Sequence, residues 1–261
     1  MLLPIGDDDS TLSGLAPVTW GLILVNIVVF LLFQQAGGND AFTYGWSVVP
    51  REITQGIDLV RSQTAVFEGE RLTVPQAPGP SPIYLTMLSA LFMHGGWMHL
   101  LGNLLYLWIF GDNVEHRFGS VAFLVFYLAS GLAATFAQIA LDPDSIIPNL
   151  GASGAISGVM GAYLVLFPTN KVRALFFIFI FTVPAVVAIG LWIVFQFISG
   201  YGAIIVADEM AGGVAYGAHI GGFFAGIALA FILRVLIKEE PKHIFTEMPP
   251  TYRPQRYYYR R

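Results

Sequence analysis

Six long apolar stretches, at residues 17 to 36, 97 to 116, 120 to 141, 151 to 167, 174 to 198 and 215 to 237, limit most strongly what this chain can become. An α-helix needs about 20 apolar residues to cross roughly 30 Å of hydrocarbon. Inside lipid, only a helix or a closed barrel satisfies every backbone N–H and C=O. The pattern therefore predicts an all-α polytopic membrane protein with six transmembrane helices. Composition agrees, since only 11% of the residues are charged and mean hydropathy is +0.67, against roughly 25% charged residues in soluble domains. The fourth stretch is short. Its 17 residues cover only about 25 Å as a helix, so one end should stop inside the bilayer. Pro184 is expected to bend the fifth helix, its freed carbonyl being satisfied by neighbours.

Basic residues set the expected orientation. Ten of the thirteen Lys and Arg lie in or beside the second and fourth connections and the C-terminal tail, from Arg117 through Lys171, Arg173, Arg234 and Lys238 to Arg261. The other three, Arg51, Arg61 and Arg71, are spread along a long first loop, where the positive-inside rule counts least. Both termini are then cytoplasmic and Ser153 lies toward the outside. The chain divides into a cytoplasmic segment at 1–16, a six-span unit at 17–237 whose first extracytoplasmic loop covers about 37–96, and a basic, aromatic cytoplasmic tail at 238–261. "MLLPIGDDDS" has no positive stretch ahead of an apolar core, so the first span should stay in the mature protein. In the first loop, a Pro-rich "VPQAPGPSP" precedes an amphipathic "IYLTMLSALFMHGG" suited to the membrane interface. With no cysteine, disulfides and thiolate chemistry are excluded. The net charge of −4 offers no nucleic-acid surface.

Polar groups at membrane depth are expensive, and their default reading is functional. "NLGASGAISGVMGAYLVLF" sets Ser153 and Ser157 at the start of the fourth stretch. In "HGGWMHLLGN", His99 and Asn103 are four apart and share one helical face, with His94 just ahead of them. In "YGAHIGGFFAG", His219 is followed by Gly222 and Gly226 at helical spacing, a bare face that lets two backbones approach. Each feature alone has a bland reading. Gly154 and Gly158 form a small-residue pair of the kind that packs helices, and a lone membrane histidine often serves only as interhelical glue. Together, a hydroxyl, a base and further hydrogen-bond donors at one depth are the parts of acyl transfer.

"HGGWMHLLGN", "GASG" and "AHIGGFFAG" resemble, in that order, the three motifs of the rhomboid intramembrane serine proteases, and "FGDNVEHRFG" resembles their bacterial members. The likeness covers about residues 83 to 237. It implies a rhomboid-like bundle in which Ser153 is the nucleophile and His219 its base. His99, Asn103 and the Ser153 amide would form the oxyanion hole, while His94, Gly151, Gly154 and Gly222 shape the site. It further implies cleavage of the transmembrane segments of membrane-protein substrates within the lipid bilayer, with no metal or cofactor, in the inner membrane of a bacterial cell. Two positions depart from the family. Ser157 stands where well-studied members carry a tyrosine under the histidine ring, and the Trp-Arg pair that some members have in the first loop is missing.

Other readings carry their own requirements. A zinc protease drawing on the three outer histidines would need a carboxylate base or ligand, yet His-Glu-x-x-His is absent and no carboxylate is expected at membrane depth. A transporter would show an ionisable pathway or inverted repeats. A non-proteolytic membrane-protein binder of the same fold would be expected to lack the serine or the histidine, and both are present. The expectation is a Ser-His dyad without a carboxylate third member, the nearest outward acids, Asp142, Asp144, Asp208 and Glu209, lying in loops.

Overall fold

The computed structural model describes residues 3–8, 14–67, 70–206 and 215–237. Its elements are β1 (Leu3–Asp7), α1 (Pro17–Val28, continued by a π-helical turn Val29–Phe33), α2 (Asp40–Gly45), α3 (Pro50–Gln55), β2 (Gln63–Phe67), β3 (Glu70–Val74), α4 (Thr86–Ser89), α5 (Trp97–Phe118), α6 (Ser120–Leu141), α7 (Ser153–Leu166), β4 (Lys171–Phe176), β5 (Phe179–Pro184), α8 (Ala185–Val206) and α9 (Tyr216–Leu236). The protein is mostly helical. Among the described residues, α6 and α9 are long and apolar enough to cross a membrane, while Pro17–Phe33, Ser153–Leu166 and Ala185–Tyr201 are apolar but shorter. Length and composition alone thus give two crossings rather than the six that the apolar runs predict. Helix α5 is as long as α6 but carries Asp112, Glu115 and Arg117 in its last turns.

Small residues put α7 at the centre. Every residue from Gly154 to Tyr163 is buried. A Cβ on Gly222 would run into the carbonyl oxygen of Gly154, one on Gly226 into that of Gly158, and one on Gly161 into that of Phe223. With no side chain between them, α7 and α9 meet backbone to backbone, the close approach that small-residue faces permit. On α6, Ser130 and Ala134 abut Gly158 and Gly154. Below this contact the core fills with Leu107, Phe110, Phe123, Tyr127, Met160 and Tyr163, all buried. The outward faces of α6 and α9 expose Val121, Phe136, Phe231 and Val235.

A carboxylate anchors α1. Glu115, fully buried near the end of α5, accepts from the backbone N–H of Val18 (3.0 Å) and Thr19 (2.7 Å), the Thr19 hydroxyl (2.8 Å) and the Ser120 hydroxyl (2.6 Å). Two of the free N–H groups that open any helix are therefore capped from another helix. Gly119, at φ 81°, is the single residue joining α5 to α6, a left-handed turn that favours glycine.

Several expectations are corrected here. The bundle is not all-α: β1, β4 and β5 form an antiparallel sheet in that order, and β2 pairs with β3. The fifth apolar run is not one helix from 174 to 198. Its first part belongs to the β4–β5 hairpin, and α8 begins only at Ala185. Pro184 ends the edge strand β5, where a missing N–H costs little, and does not bend a helix. The N–H groups of Ala185 and Val186 are met by the carbonyls of Asn170 (2.8 Å) and Pro168 (3.0 Å). "FFIFIFTVP" is aromatic and β-branched, which suits strands. The first apolar run also stops early, at a turn in which Gln35 and Ala36 have positive φ.

The first loop is sewn to the top of the bundle. Val48 and Asn149 exchange backbone hydrogen bonds of 2.9 and 2.7 Å, Arg51 N–H donates to the Ser145 carbonyl at 3.0 Å, and Gly151 N–H donates to that of Ala90 at 2.8 Å. The buried Gln34 amide clasps the backbone of His94, donating to its carbonyl and accepting from its N–H, both at 2.9 Å. The end of α1, the first loop, the start of α5 and the approach to α7 are thereby fixed to one another.

Candidate active site

Ser153 is the first residue of α7, so its backbone N–H has no partner within the helix and its hydroxyl sits at the positive end of the helix dipole. Its Oγ lies 2.8 Å from Nε2 of His219, in the first turn of α9. The two belong to the helices that the glycines hold together, and Gly222 stands one turn below His219 at that contact. Ser157 takes no part: its hydroxyl is buried and donates to the carbonyl of Ser153 at 2.6 Å.

His99 approaches from α5. Gly95 N–H donates to its Nδ1 at 3.2 Å, so a neutral ring carries its proton on Nε2. A Cβ placed on Gly151 would meet that Nε2 at 2.9 Å and Ser153 Oγ at 3.4 Å. Gly151, at φ +135°, therefore passes between imidazole and hydroxyl where no side chain fits. Asn103 is buried on the same face and gives one amide proton to the His99 carbonyl at 3.0 Å, which leaves it a second. His94 is buried with its ring edge-on to that of His99, centroids 5.2 Å apart, and neither of its ring nitrogens has a protein partner. Gly154 lies against Ala134 and Ala218. The structure thus gathers Ser153, His219, His99, Asn103, His94, Gly151, Gly154 and Gly222 at one end of the α5, α7 and α9 cluster.

Two side chains missing from the sequence reading complete the surroundings of His219. Gln196 of α8, itself buried, places Oε1 2.7 Å from His219 Nδ1. Trp192, one turn earlier on α8, lies against the ring at a centroid distance of 6.0 Å and a tilt of 34°. Both come to the ring from α8. Gln196 was legible in principle, being a polar residue in an otherwise apolar run, and the argument that selects histidines at membrane depth selects it too. Of the acids, Asp142 and Asp144 lie in the α6–α7 connection, where Asp144 Oδ1 accepts a 3.4 Å bond from Gln55. Asp208 and Glu209 lie outside the described residues, as does the tail from 238. A cavity of about 40 Å³ adjoins Ser153, walled by Ala90, Gly131, Ala134, Gly151, Gly154 and Ala218 among others. Among the described residues, no group of three or more His, Cys, Asp or Glu side chains could hold a metal ion.

Residues 83–235 match the Rhomboid domain. The chain belongs to the rhomboid family. It is 36% identical over 218 residues to Rhomboid protease GluP of Bacillus subtilis, covering 83% of this chain and 36% of that protein. It is 29% identical to Rhomboid protein 1, mitochondrial, of Saccharomyces cerevisiae, over 60% of this chain and 44% of the relative. RHOMBOID-like protein 2 of Arabidopsis thaliana is 37% identical over 57% of this chain and 42% of its own length. The chain thus spans between a third and a half of the length of these relatives. Rhomboid proteins are integral membrane proteins, and the exposed apolar faces of α6 and α9 suit that setting.

Proposed function

We propose that this rhomboid protein is an intramembrane serine endopeptidase that cleaves transmembrane segments of membrane proteins through Ser153 and His219. The observation that carries the reading is the 2.8 Å contact between Ser153 Oγ and His219 Nε2 at the N-terminus of α7. In the reaction, Nε2 takes the hydroxyl proton as Oγ attacks a substrate carbonyl, and the same proton then passes to the leaving amine. The negative charge on the carbonyl oxygen is met by the Ser153 N–H, the Nε2–H of His99 and the free amide proton of Asn103. Water, deprotonated by His219, hydrolyses the acyl-enzyme and restores the serine. Because the cavity beside Ser153, walled by Ala and Gly together with Leu91, Thr135, Gln138 and Ile139 among others, holds only about 40 Å³, a few waters' worth of space, it suits a small substrate side chain next to the cleaved bond.

The reading places six helices across the membrane, from α1 to α9 between about residues 17 and 237, with both termini cytoplasmic and the site toward the outside. The basic residues support this orientation. So does the position of the β1–β4–β5 sheet, which joins the far end of α7 to the chain's first strand. The location would be the inner membrane of a bacterial cell.

The test is a fluorophosphonate probe applied to the full chain in detergent, with the modified residue located by peptide mapping. Label on Ser153, absent in Ser153→Ala, supports the protease. No label on any serine, in protein that remains folded, sinks it in favour of a non-proteolytic binder.

A further inference from the structure

We propose that Gln196 is the positioning residue that sets the tautomer of His219, a neutral amide in the role that a carboxylate fills in soluble serine proteases. The inference rests on the reading of Ser153 and His219 as nucleophile and base. An amide oxygen can only accept a hydrogen bond, so the 2.7 Å contact between Gln196 Oε1 and His219 Nδ1 requires a proton on Nδ1. A neutral imidazole has one N–H. Nε2 is then bare and points its lone pair at Ser153 Oγ, 2.8 Å away. Without the acceptor the proton divides between the two nitrogens, and a ring protonated on Nε2 cannot take the serine proton. When Nε2 is protonated during turnover, Nδ1–H stays bonded to Gln196 and the ring does not rotate.

The surroundings fit this role. Gln196 is only 5% exposed, so its amide is not a surface group. Trp192 and Gln196 lie four apart on α8 and so share one face, the first with its ring centroid 6.0 Å from that of His219 and the second at its Nδ1 edge. Ser157, which stands where a ring-supporting tyrosine would be expected, gives its hydroxyl to the Ser153 carbonyl instead. The Nδ1 edge of the ring is therefore held from α8, while Ser153 of α7 meets its Nε2.

The direct measurement is ¹⁵N NMR of the histidine-labelled full chain in detergent at neutral pH, with His219 assigned by its loss in His219→Gln. A protonated Nδ1 and bare Nε2 are expected, and a majority of the Nε2–H form overturns the proposal whatever the variants do. Kinetics supply the second arm. Gln196→Met keeps length and packing but removes the acceptor, and should lower kcat by about 10- to 100-fold with KM within about threefold, less than the ten-thousandfold cost of a wrong tautomer in a soluble triad, where the charge of the acid is lost as well. Gln196→Glu restores an acceptor once its carboxyl is ionised, and at about pH 9, where even a carboxyl raised by burial gives up its proton, it should recover at least about tenfold over the Met variant, as a group that fixes the tautomer must. Wild-type kcat in Gln196→Met, or a Glu variant no better than Met, also overturns it. If wild-type protein neither cleaves nor takes the fluorophosphonate label, the protease reading fails, while the tautomer remains readable in a protein that cleaves nothing.

Discussion

A single methyl group on Gly222 should disable the site. In Gly222→Ala the new Cβ would lie 3.0 Å from the Gly154 carbonyl carbon, nearer still to its oxygen, and 3.1 Å from Ala134 Cβ. Ordinary carbon–carbon contact is about 3.5–4.0 Å, so α7 and α9 must part by about 1 Å to seat the methyl. The atoms that cannot yield are backbone, which makes the strain one of helix position and not of a rotamer. Ser153 and His219 lie within one turn of this contact on the same two helices, and their 2.8 Å bond would open to about 3.8 Å, past hydrogen-bonding range. A misplacement of about 1 Å is worth about a hundredfold in rate, and overpacking of this kind costs about 1–3 kcal/mol of stability. The assay is kcat on a single-span reporter substrate, with thermal unfolding in the same detergent. Gly190→Ala is the control, because nothing lies within 4 Å of a Cβ there. A Gly222→Ala enzyme within about threefold of wild type would refute the claim that backbone contact between α7 and α9 sets the dyad distance, given the size of effect such a shift must have.

Asn103→Ala should lower kcat by about 10- to 1,000-fold without unfolding, as loss of one oxyanion donor among several does, and an unchanged rate would reduce Asn103 to packing. A reporter fused after Arg261 should read as cytoplasmic, and an extracytoplasmic reading would invert the proposed orientation. Amide variants of Asp142, Asp144, Asp208 and Glu209, made singly, should each keep kcat within about tenfold if no carboxylate partners the imidazole, and a fall near ten-thousandfold in one of them would mean a carboxylate triad. Glu52, in α3, has its carboxyl raised from 4.5 to about 7, chiefly by burial, partly offset by the bond it accepts from Leu59 N–H. The folded state then holds this proton more tightly than the unfolded one, so the stability it contributes is complete below about pH 4.5 and is lost as pH rises through 7. Thermal midpoints of wild type should fall across that window relative to Glu52→Gln, and parallel curves would reject the assignment.

How far the sequence could be read depended on whether the deciding contact was local. The starts of α5 and α6 fall where the apolar runs begin, at 97 and 120, because Gly96 and Gly119 interrupt the helical pattern there. The structure brings the motif residues together at one end of α5, α7 and α9. The run from 174 could not be resolved the same way, since a wholly apolar stretch carries no polar alternation to separate strand from helix. What decides it is pairing with residues 3–7, a contact between the two ends of a long segment of chain. Glu115 eluded the sequence for a related reason. It overturns the expectation that no carboxylate lies at membrane depth, since it and Asp112 fall inside the predicted second span, and its partners Val18 and Thr19 are nearly a hundred residues away. Gln196 is the reverse case: its oddness in the apolar run of α8 is local and visible, but its role appears only beside His219.

The contrast between Glu115 and Gln196 also bears on why a site at this depth would do without an acid. A buried carboxylate is tolerable when several donors converge on it, and Glu115 has four, all neutral and all fixed by backbone or short side chains. Beside His219 one imidazole N–H faces α8. An ionised acid there would have a single neutral donor in the resting enzyme, and an under-satisfied buried charge costs several kcal/mol. It would be compensated only during the moments when the ring is an imidazolium. A neutral amide accepts the same proton at no charge-burial cost, giving up electrostatic stabilisation of the imidazolium and keeping control of the tautomer. On the proposed reading, in which Ser153 attacks from a helix N-terminus and several donors receive the oxyanion, the balance favours the amide.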